Sequence, residues 1–231
     1  MPSLMSTVHQ SGSRNEAEEV VGNPLEGRLC DKVAIVFGGG LVGEGWGNGK
    51  AAAVAYARAG ASVAVVDVSP AAAAVTRDLI AKEGGAAIAI EGDVTSLAPI
   101  ERSVAAAQNA FGRIDILHNN VGITSRGGPV ETSEEIWDRV MAVNVKSMFL
   151  TCKVILPLME AQGAGAIVNI GALGGVRWTG YAYCAYAASK GAVNSFTQSV
   201  ALQYAAKGIR ANCILPGVMD TPHIYSQISG F

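Results

Sequence analysis

From residue 31 onward, short apolar runs rich in β-branched residues alternate with longer alanine-rich runs that have helical periodicity. Near-continuous apolar strands separated by helices are typical of a parallel sheet that is covered on both faces. The predicted strands are Val33–Phe37, Ser62–Asp67, Ala86–Glu91, Ile114–Asn119, Ala166–Ile170 and Ile209–Leu215. The predicted helices are Lys50–Ala59, Pro70–Lys82, Leu97–Phe111, Ser133–Glu160 and Tyr186–Ala206. Because crossovers between parallel strands are right-handed, the pattern predicts an α/β protein with a doubly wound parallel sheet.

The first 28 residues differ from the rest of the chain. They combine serine, glycine and asparagine with Glu16, Glu18 and Glu19, and they lack the apolar stretch of a secretory signal and the arginine content of a transit peptide. We interpret residues 1–28 as a flexible N-terminal extension without a function of its own. No repeat or linker follows, so residues 29–231 are predicted to form a single domain.

The composition is that of a globular protein. Half of the 231 residues are hydrophobic and 16% are charged, which excludes a disordered chain. The formal net charge of −2 and the lack of a basic stripe argue against nucleic acid as a partner. No uninterrupted apolar run approaches the roughly 18 residues of a membrane span, so we expect no membrane partner either.

The four cysteines are scattered, with no CxxC pair and no metal-like spacing. They are Cys30, Cys152, Cys184 and Cys213. In a chain long enough to build its own core, this pattern predicts buried, reduced thiols, a cytoplasmic location and no metal site.

The turn after the first predicted strand contains seven glycines among the twelve residues 38–49. A literal GxGxxG match begins at Gly38, but its third glycine falls well before the helix that is predicted from Lys50. The better register is GxxxGxG, which ends directly before that helix. Glycines there let backbone amides approach a pyrophosphate, and the helix amino terminus adds partial positive charge. A flexible turn is the alternative, but the glycine density favours nucleotide binding in a Rossmann-type fold. The cofactor-binding residues predicted in this loop are Gly38, Gly43, Gly47, Asn48 and Gly49.

An acidic residue closes the second predicted strand. Asp67 follows Gly49 by eighteen residues, where a carboxylate accepts both adenosine ribose hydroxyls and repels a 2′-phosphate. No basic residue precedes Gly47, where Trp46 stands. Both features favour NAD over NADP. Capping of the next helix is the alternative role for Asp67, but Ser69 already supplies that cap.

A tyrosine and a lysine stand four residues apart at the start of the last predicted helix. This spacing places the Tyr186 phenol and the Lys190 ammonium on one helix face. A free tyrosine has a pKa of about 10, and a neighbouring ammonium together with a cationic nicotinamide would lower that pKa, as a general base requires. Alone, YxxxK is a weak motif because it arises often by chance.

Together, the glycine loop, Asp67 and YxxxK resemble the classical short-chain dehydrogenase/reductase family, from residue 29 to about residue 221. The longer GWGNGK loop resembles a subgroup with an extended glycine turn. Further short matches stand in the order of the family's motifs: Asp93-Val94, Asn119-Asn120-Val121-Gly122, Asn144 in MAVNV, and Pro216-Gly217 with Thr221. Each has a plainer interpretation as a cap, a buried polar residue or a turn, but seven motifs in order are not a coincidence.

The resemblance implies hydride transfer between NAD(H) and a secondary alcohol or ketone. It implies that Tyr186 is the acid/base group on the substrate oxygen, that Lys190 binds the nicotinamide ribose and lowers the tyrosine pKa, and that Asn144 holds a proton-relay water. The further cofactor-binding residues that it implies are Asp93 and Val94 at the adenine, Asn120, Gly122, and Pro216, Gly217 and Thr221 at the nicotinamide.

One departure from the family concerns a serine about a dozen residues before the tyrosine, whose hydroxyl steadies the substrate oxygen. Ala172 stands at the aligned position, and residues 171–178 contain no hydroxyl group. Losing one such donor costs about 3 kcal/mol of transition-state stabilisation. The sequence therefore predicts either a slow enzyme or a substitute donor on the following loop. The candidates are Thr179, Tyr181 and Tyr183.

The second departure lies at the end of the chain. Fourteen residues follow Gly217, whereas the family usually continues for several dozen. We expect the domain to lack the usual C-terminal lid and last strand, which would leave the strand 209–215 as an exposed edge and remove one wall of the substrate pocket. The residues predicted to bind NAD all lie at or before Thr221.

The loop 176–184 is rich in aromatic residues, which predicts an apolar or cyclic substrate. The helices predicted at 133–160 and 186–206 resemble those that form the dimer interface in the family, so we expect a homodimer or homotetramer. Intact Asn144, Tyr186 and Lys190 favour a working NAD-dependent dehydrogenase or reductase. Ala172 and the short C-terminus favour the alternative, an impaired relative that binds NAD(H) as a sensor or scaffold. An epimerase of the extended branch is excluded because no room remains for a second domain.

Overall fold

The computed structural model describes residues 27–41 and 43–222 of the 231-residue chain. These residues form a six-stranded parallel sheet in the order β3-β2-β1-β4-β5-β6. The strands are β1 Val33–Phe37, β2 Ser62–Asp67, β3 Ala87–Glu91, β4 Ile116–Asn119, β5 Gly165–Ile170 and β6 Ile209–Ile214. The strand order reverses between β1 and β4, and ligands of such sheets bind in the crevice outside the carboxyl ends of the strands there. The predicted α/β fold with a doubly wound parallel sheet is confirmed.

Helices fill the crossovers between the strands. They are α1 Asn48–Arg58, α2 Pro70–Lys82, α3 Leu97–Phe111, α4 Glu134–Met141, α5 Ser147–Gln162 and α6 Cys184–Tyr204. A π-helical turn, Ala142–Lys146, joins α4 to α5, and short 3₁₀ turns occupy Leu173–Gly175 and Ala205–Lys207.

The inner strands are apolar on both faces because helices cover both faces of the sheet. All five residues of β1 are buried. Ile35 and Phe37 pack into a core cluster with residues of α3 and α5, whereas Val36 packs on the opposite face with residues of α1 and α2. Successive side chains of a strand point to opposite faces, so a strand between two helical layers needs a continuous apolar sequence.

Several element boundaries differ from the predicted ones. The predicted cap at Ser69 is confirmed, because its side chain accepts a hydrogen bond from the Ala72 backbone N–H at 3.3 Å. However, α1 begins at Asn48 rather than at Lys50, and α6 begins two residues before Tyr186. The helix predicted at 133–160 is instead α4, the π turn and α5 in succession.

The cysteines correct one expectation. Cys152 is buried, but Cys30 is exposed, and Cys184 and Cys213 are partly exposed. The prediction of buried thiols is therefore wrong for Cys30. These four thiols are free in the part of the chain described, and no group of histidine, cysteine and acidic residues there is placed to hold a metal ion.

Among the described residues, the continuous helix 134–162 is long and apolar enough to cross a membrane, although no single apolar run has that length. Half of its most apolar window is buried inside the fold. That burial is typical of a core helix, so the length of the helix is weak evidence for a membrane span.

The two ends of the chain leave the domain prediction open. The predicted extension, residues 1–28, lies outside the described residues except for its last two positions. β6 is the final strand in the order of the described sheet, and Ile214 at its end is 50% exposed. The predicted domain boundaries therefore stay predictions.

Candidate active site

The glycine-rich loop and α1 meet at the carboxyl end of β1. Gly49, in the first turn of α1, is buried, and a side-chain carbon there would overlap the carbonyl oxygen of Gly38. The N-cap of α1, Gly47, provides no side-chain hydrogen bond, and no acidic residue stands in the first turn. Among the described residues, no side chain is bonded to the first backbone N–H groups of α1, and a helix amino terminus of this kind attracts anions. This glycine cradle fits the pyrophosphate of a dinucleotide.

The other predicted glycines of this loop have different surroundings. Gly43 has a φ of 94°, and a side-chain carbon there would meet no described atom within 4 Å, so this glycine permits a turn rather than a close approach. A side-chain carbon at Gly47 would lie 3.0 Å from Leu41 Cδ1. The structure thus places Gly38, Gly47, Asn48 and Gly49 together and leaves Gly43 apart.

Asp67 lies at the carboxyl end of β2, next to the same loop. Its Oδ2 accepts a hydrogen bond from the Gly40 N–H, and its Oδ1 accepts one from the Ser69 N–H, both at 3.0 Å. Each carboxylate oxygen can accept a second hydrogen bond. Asp67 therefore holds the glycine loop and the turn before α2, and it retains acceptor capacity for ribose hydroxyls.

Asp93 and Val94 follow β3, near the other predicted cofactor contacts. Asp93 Oδ1 accepts hydrogen bonds from the backbone N–H and the hydroxyl of Thr95, both at 2.8 Å. Val94 is 6% exposed and packs into the core. The contacts of Asp93 are those of a local turn, which was the plainer interpretation of this motif, and its role at the adenine stays a prediction.

The segment after β4 connects the glycine loop to the predicted catalytic residues. Asn120 donates a hydrogen bond from Nδ2 to the carbonyl oxygen of Gly38 at 2.9 Å. Two residues later, a side-chain carbon at Gly122 would lie 3.2 Å from Lys190 Nζ and 3.5 Å from Asn144 Oδ1. The structure thus joins these predicted residues by a continuous series of contacts at the carboxyl end of the sheet.

Asn144 lies in the π turn and is fully buried. Its Oδ1 accepts a hydrogen bond from the Ile123 N–H at 2.8 Å, and its Nδ2 donates to the Ile123 carbonyl and to Ser189 Oγ, both at 2.9 Å. The side chain therefore ties the segment after β4 to α6. Because both amide hydrogens are used, its predicted role with a relay water rests on other atoms of the residue and stays a prediction.

Tyr186 and Lys190 lie on one face of α6, with Lys190 Nζ 5.8 Å from the centre of the tyrosine ring. Lys190 is 3% exposed and donates a hydrogen bond to the Ile170 carbonyl at 2.7 Å. Burial lowers the pKa of Lys190 to about 8, so the ammonium form still predominates at pH 7. Burial, and secondarily the neighbouring Tyr183, raises the pKa of Tyr186. The lowered tyrosine pKa was predicted for Lys190 acting together with a cationic nicotinamide, and it stays a prediction.

Ala172 ends the stretch after β5 at which a hydroxyl was expected. It is 7% exposed and directly precedes the 3₁₀ turn. A side-chain carbon at Gly174 would lie 3.9 Å from Thr179 Oγ1 and 3.8 Å from Tyr186 Cε1, so both residues border the space beside Gly174. The Tyr183 and Tyr186 rings meet edge-on, with centres 6.1 Å apart.

A cavity of about 280 Å³ opens beside Tyr186. Most of the side chains that line it are aromatic or small, and Arg177 is the charged residue among them. The lining residues are Gly128, Pro129, Gly174, Arg177, Trp178, Thr179, Tyr181, Ala182, Tyr183, Cys184, Tyr186 and Ala187. A pocket of this size and character suits a small, largely apolar molecule with one polar group to be oriented.

The segment after β6 runs along the other side of the crevice. The Pro216 carbonyl accepts a hydrogen bond from the Leu173 N–H at 2.9 Å, next to Ala172. A side-chain carbon at Gly217 would meet no described atom within 4 Å, and Thr221 is half-buried. Pro222 then approaches the glycine loop at Gly45. The structure therefore places Pro216 next to the stretch after β5, and the roles of Gly217 and Thr221 stay predictions.

Sequence reasoning missed two partners in this site. Ser189 is fully buried, accepts from Asn144 and donates to the Tyr186 carbonyl at 2.7 Å. A serine inside the YxxxK segment was visible as a polar residue on a buried face. The Ile170 carbonyl, which holds Lys190, carried no signal because every residue has a carbonyl group.

Beneath the site, a chain of buried side chains crosses from α5 to α6 through β4 and β5. Thr151 donates to Asn119 Oδ1, Asn119 Nδ2 donates to Asn169 Oδ1, and Asn169 Nδ2 donates to Thr197 Oγ1, at 2.8–2.9 Å. Thr197 donates in turn to the Val193 carbonyl at 2.7 Å. We call Thr151, Asn119, Asn169 and Thr197 the polar chain.

Comparison with known proteins identifies the class. Residues 32–228 match the family described as short chain dehydrogenase. The chain belongs to this family of oxidoreductases, as the resemblance predicted. It is 40% identical over 200 residues to 2-(R)-hydroxypropyl-CoM dehydrogenase of Xanthobacter autotrophicus. This match covers 83% of this chain and 76% of that protein.

Solved structures agree with the fold. A short-chain dehydrogenase/reductase from Burkholderia xenovorans matches with a TM-score of 0.85 and 45% identity, over 88% of this chain and 81% of that one. The structure of an NAD⁺-bound xylitol dehydrogenase matches with a TM-score of 0.80 and 31% identity, over 87% of this chain and 75% of that one.

Proposed function

We propose that this protein is an NAD-dependent oxidoreductase that interconverts secondary alcohols and ketones. The observation that supports this proposal best is a continuous series of contacts from the glycine loop to the predicted acid/base pair. Gly38 and Gly49 form the cradle, and the segment 120–122 links that cradle to Lys190 and Tyr186 beside the aromatic cavity. A nucleotide-binding element and an acid/base pair thus share one groove.

In ketone reduction, Tyr186 donates its phenolic proton to the carbonyl oxygen as that oxygen gains charge. In alcohol oxidation, the Tyr186 phenolate accepts the hydroxyl proton. Lys190, fixed by the Ile170 carbonyl, provides a buried positive charge that stabilises the phenolate form. Bound NAD(H) would accept or supply the hydride at the substrate carbon, and its cationic nicotinamide would offset the effect of burial on the tyrosine pKa.

Asp67 supports NAD rather than NADP as the cofactor. Its carboxylate lies at the end of β2, hydrogen-bonded to the glycine loop, where it would accept ribose hydroxyls and repel a 2′-phosphate. The similar xylitol dehydrogenase was solved with NAD⁺ bound. Further contacts would come from Asp93, Val94, Asn120, Gly122, Pro216, Gly217 and Thr221.

The cavity supports an apolar or cyclic substrate. Tyr181, Tyr183 and Trp178 supply flat aromatic surface, and Tyr186 lies at its edge.

We also propose that the protein is a cytoplasmic homodimer or homotetramer. It would associate through the long helices, since Phe149 of α5 and Leu202 of α6 are 49% and 75% exposed.

Titration of the purified protein with NADH and NADPH, followed by tryptophan fluorescence, tests the cofactor. We expect NADH to bind at least about tenfold more tightly than NADPH, and Asp67→Asn to narrow that ratio because it removes the repelling charge. Asp78→Asn, at an exposed position of α2, is the matched control and should leave the ratio unchanged. A preference for NADPH in the unsubstituted protein would overturn the NAD assignment. NADH binding without reduction of any cyclic ketone would favour the sensor or scaffold alternative.

A further inference from the structure

The candidate active site has one phenol where the chemistry favours two hydrogen-bond donors. A ketone oxygen that becomes an alkoxide gains charge, and preorganised donors aimed at that oxygen lower the barrier. Just after β5, where the resemblance led us to expect a serine hydroxyl, the chain carries the buried methyl group of Ala172. A second donor would therefore come from a residue that lines the cavity.

Three hydroxyl groups besides Tyr186 border the cavity, and they differ in burial. Those of Thr179 and Tyr181 belong to exposed residues of the loop before α6, and Tyr181 is 49% exposed. Tyr183 is partly buried and meets the Tyr186 ring edge-on, with 6.1 Å between ring centres and 69° between ring planes. Tyr183 is thus the hydroxyl-bearing side chain that contacts the acid/base tyrosine from the cavity side.

The backbone on both sides of Tyr183 is fixed. The Gly127 N–H donates to the Ala182 carbonyl at 2.9 Å, and the Cys184 N–H donates to the Gly127 carbonyl at 3.0 Å, which together form a parallel bridge. Tyr183 is also the N-cap position of α6 and therefore moves with the helix that carries Tyr186. A side chain held in this way can keep its hydroxyl in one place, as preorganisation requires.

The two phenols are also coupled electrostatically. Tyr183 contributes to the raised pKa of Tyr186, after the larger effect of burial. The phenolic O–H of a tyrosine is a hydrogen-bond donor.

We propose that the Tyr183 hydroxyl is the second donor to the substrate oxygen, in place of the hydroxyl that Ala172 lacks. The inference rests on the proposed function. During reduction, the hydride adds to the carbonyl carbon, the carbon–oxygen π bond becomes an oxygen lone pair, and Tyr186 transfers its proton to that oxygen. Tyr183 neither gains nor loses a proton in this step, because its O–H only donates a hydrogen bond to the developing alkoxide.

The test compares the reduction of cyclohexanone by NADH in the unsubstituted protein and in Tyr183→Phe, which keeps the ring contact and removes the hydroxyl. We expect kcat to fall about ten- to a hundredfold, with NADH affinity unchanged. Ala172→Ser should raise kcat less than about threefold alone but should recover about tenfold in the Tyr183→Phe background, because one donor then replaces the other. Tyr204→Phe, at the far end of α6, is the matched control and should behave like the unsubstituted protein.

A second readout separates catalysis from structure. A loss confined to kcat, with unchanged NADH affinity and an unchanged melting temperature, indicates that the Tyr183 hydroxyl acts in the reaction, whereas a structural defect would also lower the melting temperature. Full activity of Tyr183→Phe in a protein that reduces cyclohexanone would overturn the inference and leave the proposed function standing. No reduction by the unsubstituted protein would instead overturn the proposed function, and the Tyr183 assignment with it.

Discussion

His118 is a buried titratable residue that the candidate mechanism does not use. It lies in β4 with 4% of its surface exposed, and its Nδ1 is 2.9 Å from the Tyr56 hydroxyl. Its Nε2 is buried without a hydrogen-bond partner among the described residues. Burial lowers the pKa of His118 to about 4, because a protonated ring would carry a charge and an unsatisfied N–H group into the core.

This histidine predicts a loss of stability in mild acid. An unfolded histidine has a pKa near 6.5, so the unfolded chain binds a proton that the folded chain resists as the pH falls from about 6.5 to about 4. We expect the free energy of unfolding to drop by roughly 2 kcal/mol from this source between pH 7 and pH 5. Urea unfolding at both pH values measures the change.

His118→Gln should abolish that part of the loss, whatever its cost at pH 7. Tyr56→Phe removes the neighbouring hydroxyl but keeps the histidine buried, so it should retain the acid sensitivity. Equal losses in the unsubstituted protein and in His118→Gln would show that His118 does not cause the effect.

At the residue scale, the sequence could predict pairs set by helix geometry but not environments set by packing. Tyr186 and Lys190 share a face because four residues make about one turn. The hydrogen bond from Lys190 to the Ile170 carbonyl and the raised pKa of Tyr186 depend on what α6 packs against, which no local pattern records.

The π turn is the element on which the position of the segment after β4 depends. It interrupts the helix 134–162 at Asn144, whose side chain makes three hydrogen bonds to Ile123 and Ser189. π turns are rare and are often retained where a helix serves a functional site. The π turn therefore lies where Asn144 joins α6 to the segment after β4. We call these three hydrogen bonds of Asn144 the clamp.

Truncating this clamp should be costly. Asn144→Ala leaves both backbone polar groups of Ile123 without their side-chain partner, and we expect a loss of about 1–3 kcal/mol in the free energy of unfolding. Asn109→Ala, at an exposed position of α3, is the matched control and should stay within about 0.5 kcal/mol of the unsubstituted protein. Guanidinium unfolding of both variants measures the difference, and similar values for the two would contradict the clamp.

At the element scale, the strand cores were predictable because β1 is apolar throughout and β2 is apolar between Ser62 and Asp67. The exact helix starts were not, since the chain enters α1 through glycines that carry no side-chain cap. The π turn could not be predicted from the sequence, because one inserted residue barely alters the hydrophobic periodicity of a 29-residue apolar helix.

At the scale of the whole molecule, the exposed apolar residues of the long helices predict self-association. Leu202 on α6 is 75% exposed, and replacing it by glutamate would place a charge in an interface formed by these helices. Light scattering after size exclusion should show a dimer or tetramer for the unsubstituted protein and a smaller species for Leu202→Glu. Val130→Glu, at a position 93% exposed and outside these helices, should leave the size unchanged. A monomeric unsubstituted protein would contradict the prediction.

The polar chain provides a measure of how often the whole fold opens. Its four side chains come from α5, β4, β5 and α6, and each is at most 3% exposed. The Asn119 side-chain amide donates to Asn169 between the neighbouring strands β4 and β5, so fraying of a single helix does not bring water to the amide hydrogens of Asn119. Those hydrogens therefore exchange with deuterium when the sheet itself opens, and their lifetimes in heavy water record how seldom the whole protein unfolds.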